Sequence, residues 1–95
     1  MQLSFQDRTY LVTGGGSGIG KAVATGLADA GASVMIVGRN ADRLAGAVAE
    51  IEGLQPSGSV RYEPADVTNE DEVARVVAAA TAWHGRLDGV VHSAG

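Results

Sequence analysis

The residues of this 95-residue chain best suited to chemistry lie in one run, Thr13-Gly14-Gly15-Gly16-Ser17-Gly18-Ile19-Gly20. Glycines carry no Cβ, so such a loop can turn sharply and bring its backbone against a ligand. Where a helix opens directly after the loop, its free N–H groups and positive dipole end suit a phosphate or pyrophosphate. Gly14 is expected to make the turn out of a strand, Gly18 to let the helix start lie against the anion, and Gly20 to allow close packing of the helix on the sheet. Gly16 belongs to the same cradle, and Ser17 and Ile19 offer further N–H donors.

A glycine-rich run alone is weak evidence, because glycines also mark ordinary turns. Its flanks give it meaning. Residues 9–13 read as a strand, and Ile19, Val23 and Leu27 recur at four-residue spacing, predicting the apolar face of a helix that Gly31 stops. Residues 33–37 form a nearly continuous apolar run, as expected for a strand covered on both faces. Asn40 can cap a second helix with the stripe Leu44, Ala47, Val48 and Ile51, followed by Gly53 and the turn Gln55-Pro56-Ser57-Gly58. Residues 60–64 predict a shorter strand. Thr68 with Asp71 makes a capping pair for a third helix carrying Val73, Val76, Val77 and Ala80, which Gly85 ends. Residues 87–92 predict the last strand, and Ser93-Ala94-Gly95 opens a loop at its carboxyl end. The alternation βαβαβαβ implies the α/β class: a Rossmann-type, doubly wound parallel sheet with right-handed crossovers and strand order 3-2-1-4. Residues 1–95 read as one dinucleotide-binding segment of an incomplete sheet, with no linker, repeat or second domain.

Two other nucleotide sites share parts of the pattern. Residues 15–21 fit the Gly-x-x-x-x-Gly-Lys portion of a P-loop, but Ala22 stands where a hydroxyl would bind magnesium, so Lys21 reads as a solvated residue of the first helical turn. Gly14, Gly16 and Gly18 also make the Gly-x-Gly-x-Gly of a methyltransferase-like site. Such sites place a ribose-binding carboxylate at the end of the second strand, where this chain has Gly38-Arg39. That pair repels no 2′-phosphate, and the Arg39 guanidinium can donate to its oxygens, favouring NADP over NAD. Arg43 could assist or simply face water.

Seven basic residues against eleven acidic ones give a formal net charge of -4 without a basic cluster, which argues against a nucleic-acid partner. The absence of cysteine removes disulfides and thiolate ligands, so no metal site is expected and a reducing cytoplasm fits. No apolar run approaches the roughly 18 residues needed to span a bilayer. The chain is expected to be soluble and cytoplasmic, with no membrane partner.

The glycine run, the Gly38-Arg39 step, Asp66-Val67 and the closing Ser93-Ala94-Gly95 together resemble the short-chain dehydrogenase/reductase family over the whole chain. The resemblance implies hydride transfer between NADP(H) and an alcohol or ketone. It implies that Asp66 accepts a hydrogen bond from the adenine amino group with Val67 beside it, and that Ala94 and Gly95 border the ribose nearest the nicotinamide. Asp66 could equally act as a cap before the Thr68 helix. Ser93 and its neighbours keep the small residues of the family's Asn-Asn-Ala-Gly, while His92 replaces the first asparagine and reads as a strand-end residue hydrogen-bonded to nearby backbone. His84 reads as a partner for the C-terminal helix dipole.

The family's catalytic serine, its Tyr-x-x-x-Lys pair and a helical asparagine have no counterpart here. Tyr10 and Tyr62 lack a lysine four residues on, and Lys21 is the sole lysine. No catalytic residue is therefore assigned, and the chain alone is expected to be inactive. Substrate would meet the missing half, where contacts of a possible homo-oligomer would also lie. Two functions follow: the cofactor-binding part of a short-chain oxidoreductase, or a non-catalytic dinucleotide-binding module.

Overall fold

A computed structural model describes residues 5–16 and 18–93. Seven elements follow in the order β1 (Thr9–Thr13), α1 (Gly18–Asp29), β2 (Ser33–Gly38), α2 (Ala41–Gly53), β3 (Ser59–Pro64), α3 (Glu70–His84) and β4 (Gly89–His92). All pairings are parallel and the order across the sheet is β3-β2-β1-β4, as the alternation of strands and helices requires. In register, Val12 stands beside Ile36 on one side and Val91 on the other, so the carboxyl ends of β1, β2 and β4 finish side by side.

Side chains alternate across the strands. Val12, Val34, Ile36 and Val60 face α1 and α2, packing with Ala24, Ala28, Leu44, Ala47 and Ile51. Leu11, Met35 and Val37 face α3 and pack with Val76 and Ala80. β2 is buried on both faces, which explains its unbroken apolar run.

The face α1 turns to the sheet differs from the expected one. Gly20, Ala24 and Ala28 are buried, whereas Ile19 is 76% exposed and Val23 and Leu27 are only partly covered. Small residues at four-residue spacing let the helix backbone approach the sheet, and the larger side chains flank that contact.

Capping of α2 follows the sequence, with the Asn40 side chain accepting from the Arg43 N–H at 3.0 Å. For α3 the cap moves by one residue. Asn69, not Thr68, accepts from the N–H groups of Asp71 and Glu72 at 2.9 and 3.2 Å, while Thr68 is bound to Asp66. Asparagine is the stronger cap of the two, and Thr68 has a competing acceptor two residues back. Gly85 ends α3 in the left-handed conformation, with φ 80°.

Candidate functional site

A cleft of about 380 Å³ opens at the carboxyl ends of β1, β2 and β4. Thr13, Gly14 and Gly16 contribute from β1 and its loop, Gly38, Arg39 and Asn40 from the end of β2, and His92 and Ser93 from the end of β4. Backbone bonds join the three strand ends: the Gly14 N–H donates to the Val37 carbonyl at 2.9 Å, and the Ser93 N–H to the Thr13 carbonyl at 3.3 Å. The Thr13 hydroxyl and His92 Nδ1 form a further hydrogen bond at 2.9 Å, so His92 pairs with a side chain and not with neighbouring backbone.

Two glycines of the loop are required for different reasons. Gly18 opens α1 with φ 62°, a conformation costly for any residue with a Cβ, and a Cβ there would meet nothing within 4 Å. The space outside it is open to an approaching ligand. A Cβ on Gly20 would stand 2.2 Å from the Gly14 carbonyl oxygen. Gly20 thus seats the helix on the loop itself, which refines the expected packing against the sheet. Lys21 is not simply solvated: its ammonium pairs with Glu50 of α2.

At the end of β2, Arg39 is well exposed and donates through Nη2 to Asp66 Oδ1 at 3.0 Å. The same oxygen accepts from the Thr68 N–H at 2.9 Å and the Thr68 hydroxyl at 2.6 Å. These bonds from Thr68, reinforced by Arg39, lower the Asp66 carboxyl to a pKa of about 2 and keep it ionised. Asp66 therefore closes a local turn ahead of α3 while bridging to the loop after β2. Arg43, in the first turn of α2, lays its stem over the glycine loop: a Cβ on Gly16 would lie 3.2 Å from Arg43 Cγ. Among the described residues no carboxylate pairs with its guanidinium.

Of the residues singled out from sequence, Gly14, Gly16, Arg39, Val67 and Ser93 share this cleft. Gly18 and Ile19 lie exposed at the helix start, Gly20 is buried beneath the loop, and Asp66 is joined to the cleft through Arg39. Ser17, Ala94 and Gly95 lie outside the described residues. Val37, Asn40, Leu44 and His92 line the cleft as well, without having been assigned to it. Asn40 and Leu44 were legible as cap and core of α2; that this helix begins beside the glycine loop follows from strand order, which places β2 against β1.

A second groove of about 500 Å³ lies at the opposite, amino ends of the strands, among Gln6, Asp7, Ser33, Ser59, His84 and Arg86. Its arginine is already paired with Asp88, and ligands of open α/β sheets bind at the carboxyl ends of strands. Among the described residues no group of three or more metal-ligating side chains comes together, and no helix is long and apolar enough to cross a membrane.

The sequence pattern of the short chain dehydrogenases matches residues 8–95. The chain belongs to this short-chain dehydrogenase/reductase family. It is similar to an uncharacterised oxidoreductase of Staphylococcus aureus, 42% identical over 89 residues that make up 94% of this chain and 37% of that protein. A short-chain type dehydrogenase/reductase structure from Mycobacterium ulcerans superposes with a TM-score of 0.93 at 76% identity, over 98% of this chain and 34% of that one. L-Sorbose reductase of Gluconobacter frateurii, whose structure is a complex with NADPH and L-sorbose, superposes with a TM-score of 0.89 at 32% identity, over 100% of this chain and 36% of that one. The short-chain dehydrogenase/reductase chain described here thus spans little more than a third of the length of these relatives.

Proposed function

We propose that this chain is the NADP-binding part of a short-chain oxidoreductase that moves hydride between NADP(H) and an alcohol or ketone. The observation that carries the reading is the wall of the cleft where β2 ends. Two arginines and no carboxylate line it, beside a glycine loop that opens into a helix. The NADPH complex of the related L-sorbose reductase supports the cofactor class.

In this reading the N–H groups around Gly14, Gly16, Ser17, Gly18 and Ile19 hold the pyrophosphate. Gly20 keeps the helix start in place under them. Arg39 exchanges its contact with Asp66 for the 2′-phosphate, and Asp66 and Val67 receive the adenine. Ser93, Ala94 and Gly95 border the ribose nearest the nicotinamide. When bound, the cofactor supplies hydride chemistry at its nicotinamide ring. Residues 1–95 bind and orient, and proton transfer at the reacting oxygen falls to the Tyr-x-x-x-Lys pair that the family resemblance implies elsewhere. A homo-oligomer in the cytoplasm is the setting that fits this role.

Fluorescence titration of the full chain with NADP and with NAD tests the proposal. Tighter binding of NADP by at least about tenfold is expected from charge-assisted contacts to one additional phosphate. Equal affinities would remove the NADP assignment, and binding of neither would remove the cleft as a dinucleotide site.

A further inference from the structure

We infer that Arg43 is a second determinant of cofactor choice, placed by Gly16 so that its guanidinium meets the 2′-phosphate of the adenosine ribose together with Arg39. The inference rests on the dinucleotide reading of the cleft and adds a residue whose part the sequence left open.

Three observations lead to it. The stem of Arg43 occupies the volume that a side chain at position 16 would need, with Cγ and Cδ 3.2 and 3.3 Å from a Cβ built there. A glycine at 16 thus allows an arginine from α2 to cross the loop that would hold the pyrophosphate. The charges of the cleft also divide unequally. Arg39 is neutralised by Asp66, whereas the Arg43 guanidinium has no carboxylate partner among the described residues and leaves the cleft one uncompensated positive charge. Finally, Arg39 and Arg43 both line this cleft, where Asn40 holds the first turn of α2 by accepting from the Arg43 N–H. The backbone of Arg43 is fixed while its head is free to turn toward an anion.

A dianion fits this pair better than a flat base does. Arg39 must leave a carboxylate to reach it, and Arg43 supplies the charge that makes the exchange favourable. Arg43 is exposed, so its truncation leaves the core intact.

The test compares two half-ligands that differ only in the phosphate concerned: adenosine 2′,5′-bisphosphate and adenosine 5′-monophosphate, titrated into the full chain by calorimetry. Arg43→Ala is expected to weaken the bisphosphate by about tenfold or more and the monophosphate by less than twofold. Arg43→Lys, which keeps the charge but loses the planar fork, is expected to fall between wild type and Arg43→Ala. An equal loss for both ligands would overturn the inference and mark Arg43 as a partner of the adenine or the 5′-phosphate. No loss for either would make it a surface residue. Failure of the wild-type chain to bind either half-ligand, or NADP itself, would instead overturn the reading of the cleft. Unchanged thermal unfolding of both variants separates these outcomes from misfolding.

Discussion

The two ends of the parallel sheet treat an arginine in opposite ways. At the amino end the cluster around Asp88 is closed on itself. The Thr9 N–H donates to Asp88 Oδ2 at 2.7 Å, the Asp88 N–H returns a bond to the Thr9 carbonyl at 2.8 Å, and Arg86 Nε closes on the same carboxylate at 2.9 Å. These contacts hold the Asp88 carboxyl below its ordinary pKa and raise that of Arg86. Ser33, Gly58 and Ser59 likewise donate their N–H groups to the carbonyls of Arg8, Ala28 and Ala32. At the carboxyl end the loop glycines approach one another closely, yet Gly18 faces open space and Arg43 has no carboxylate partner among the described residues. Arg86 is thus spent on closing the amino end, whereas Arg43 at the carboxyl end stands without a carboxylate among the described residues.

The largest effect on this contrast is expected from Gly20→Val, which drives a side chain into the Gly14 carbonyl. It should lower stability by about 1–3 kcal/mol through overpacking and abolish dinucleotide binding, read by thermal unfolding and fluorescence titration. Gly18→Val should also abolish binding, but at a folding cost of only about 1–2 kcal/mol, because the site outside Gly18 is empty. Retained affinity in the Gly18 variant would show that the ligand does not pass there. Arg39→Asp should shift the ratio of NADP to NAD affinity toward NAD by at least about tenfold, and a flat ratio in paired titrations would break the assignment. Asp88→Ala should lower the melting temperature while leaving the NADP dissociation constant within about twofold, since it lies at the other end of the sheet. A matching loss of affinity would mean that the two ends are coupled.

The smallest effect is one of pH. The folded pKa of Asp66 is depressed to about 2, so the contribution of its bonds to stability is fully present above the ordinary carboxylate pKa and is lost as pH falls through about 2. Acid unfolding of Asp66→Asn should therefore be shallower than that of wild type between about pH 4 and 2. Superimposable acid limbs would show that Thr68 and Arg39 add nothing there.

What could be seen in the sequence divides along the same physical line. Strands, helices and their order follow from local periodicity and from the rules of parallel connection, so β1 and the stripe of α2 stand where the residues indicated. The inner face of α1 escaped that reasoning. Ile19, Val23 and Leu27 are its most apolar residues, but close approach to the sheet selects the smallest ones, Gly20, Ala24 and Ala28. Side-chain destinations across the fold were equally hidden. That Arg39 reaches Asp66, Lys21 reaches Glu50 and Arg43 crosses Gly16 depends on neighbours 27, 29 and 27 residues away in the chain.

The seat of Gly20 on the Gly14 carbonyl has a consequence for association. Helix and loop meet in one close contact, formed when the chain folds, so Gly14 and the start of α1 at Gly20 are set against each other before any anion arrives. In the proposed reading a dinucleotide would give up its own freedom but need not bring helix and loop together, and its arrival should leave the amide-exchange rates of β1 and the buried face of α1 nearly unchanged.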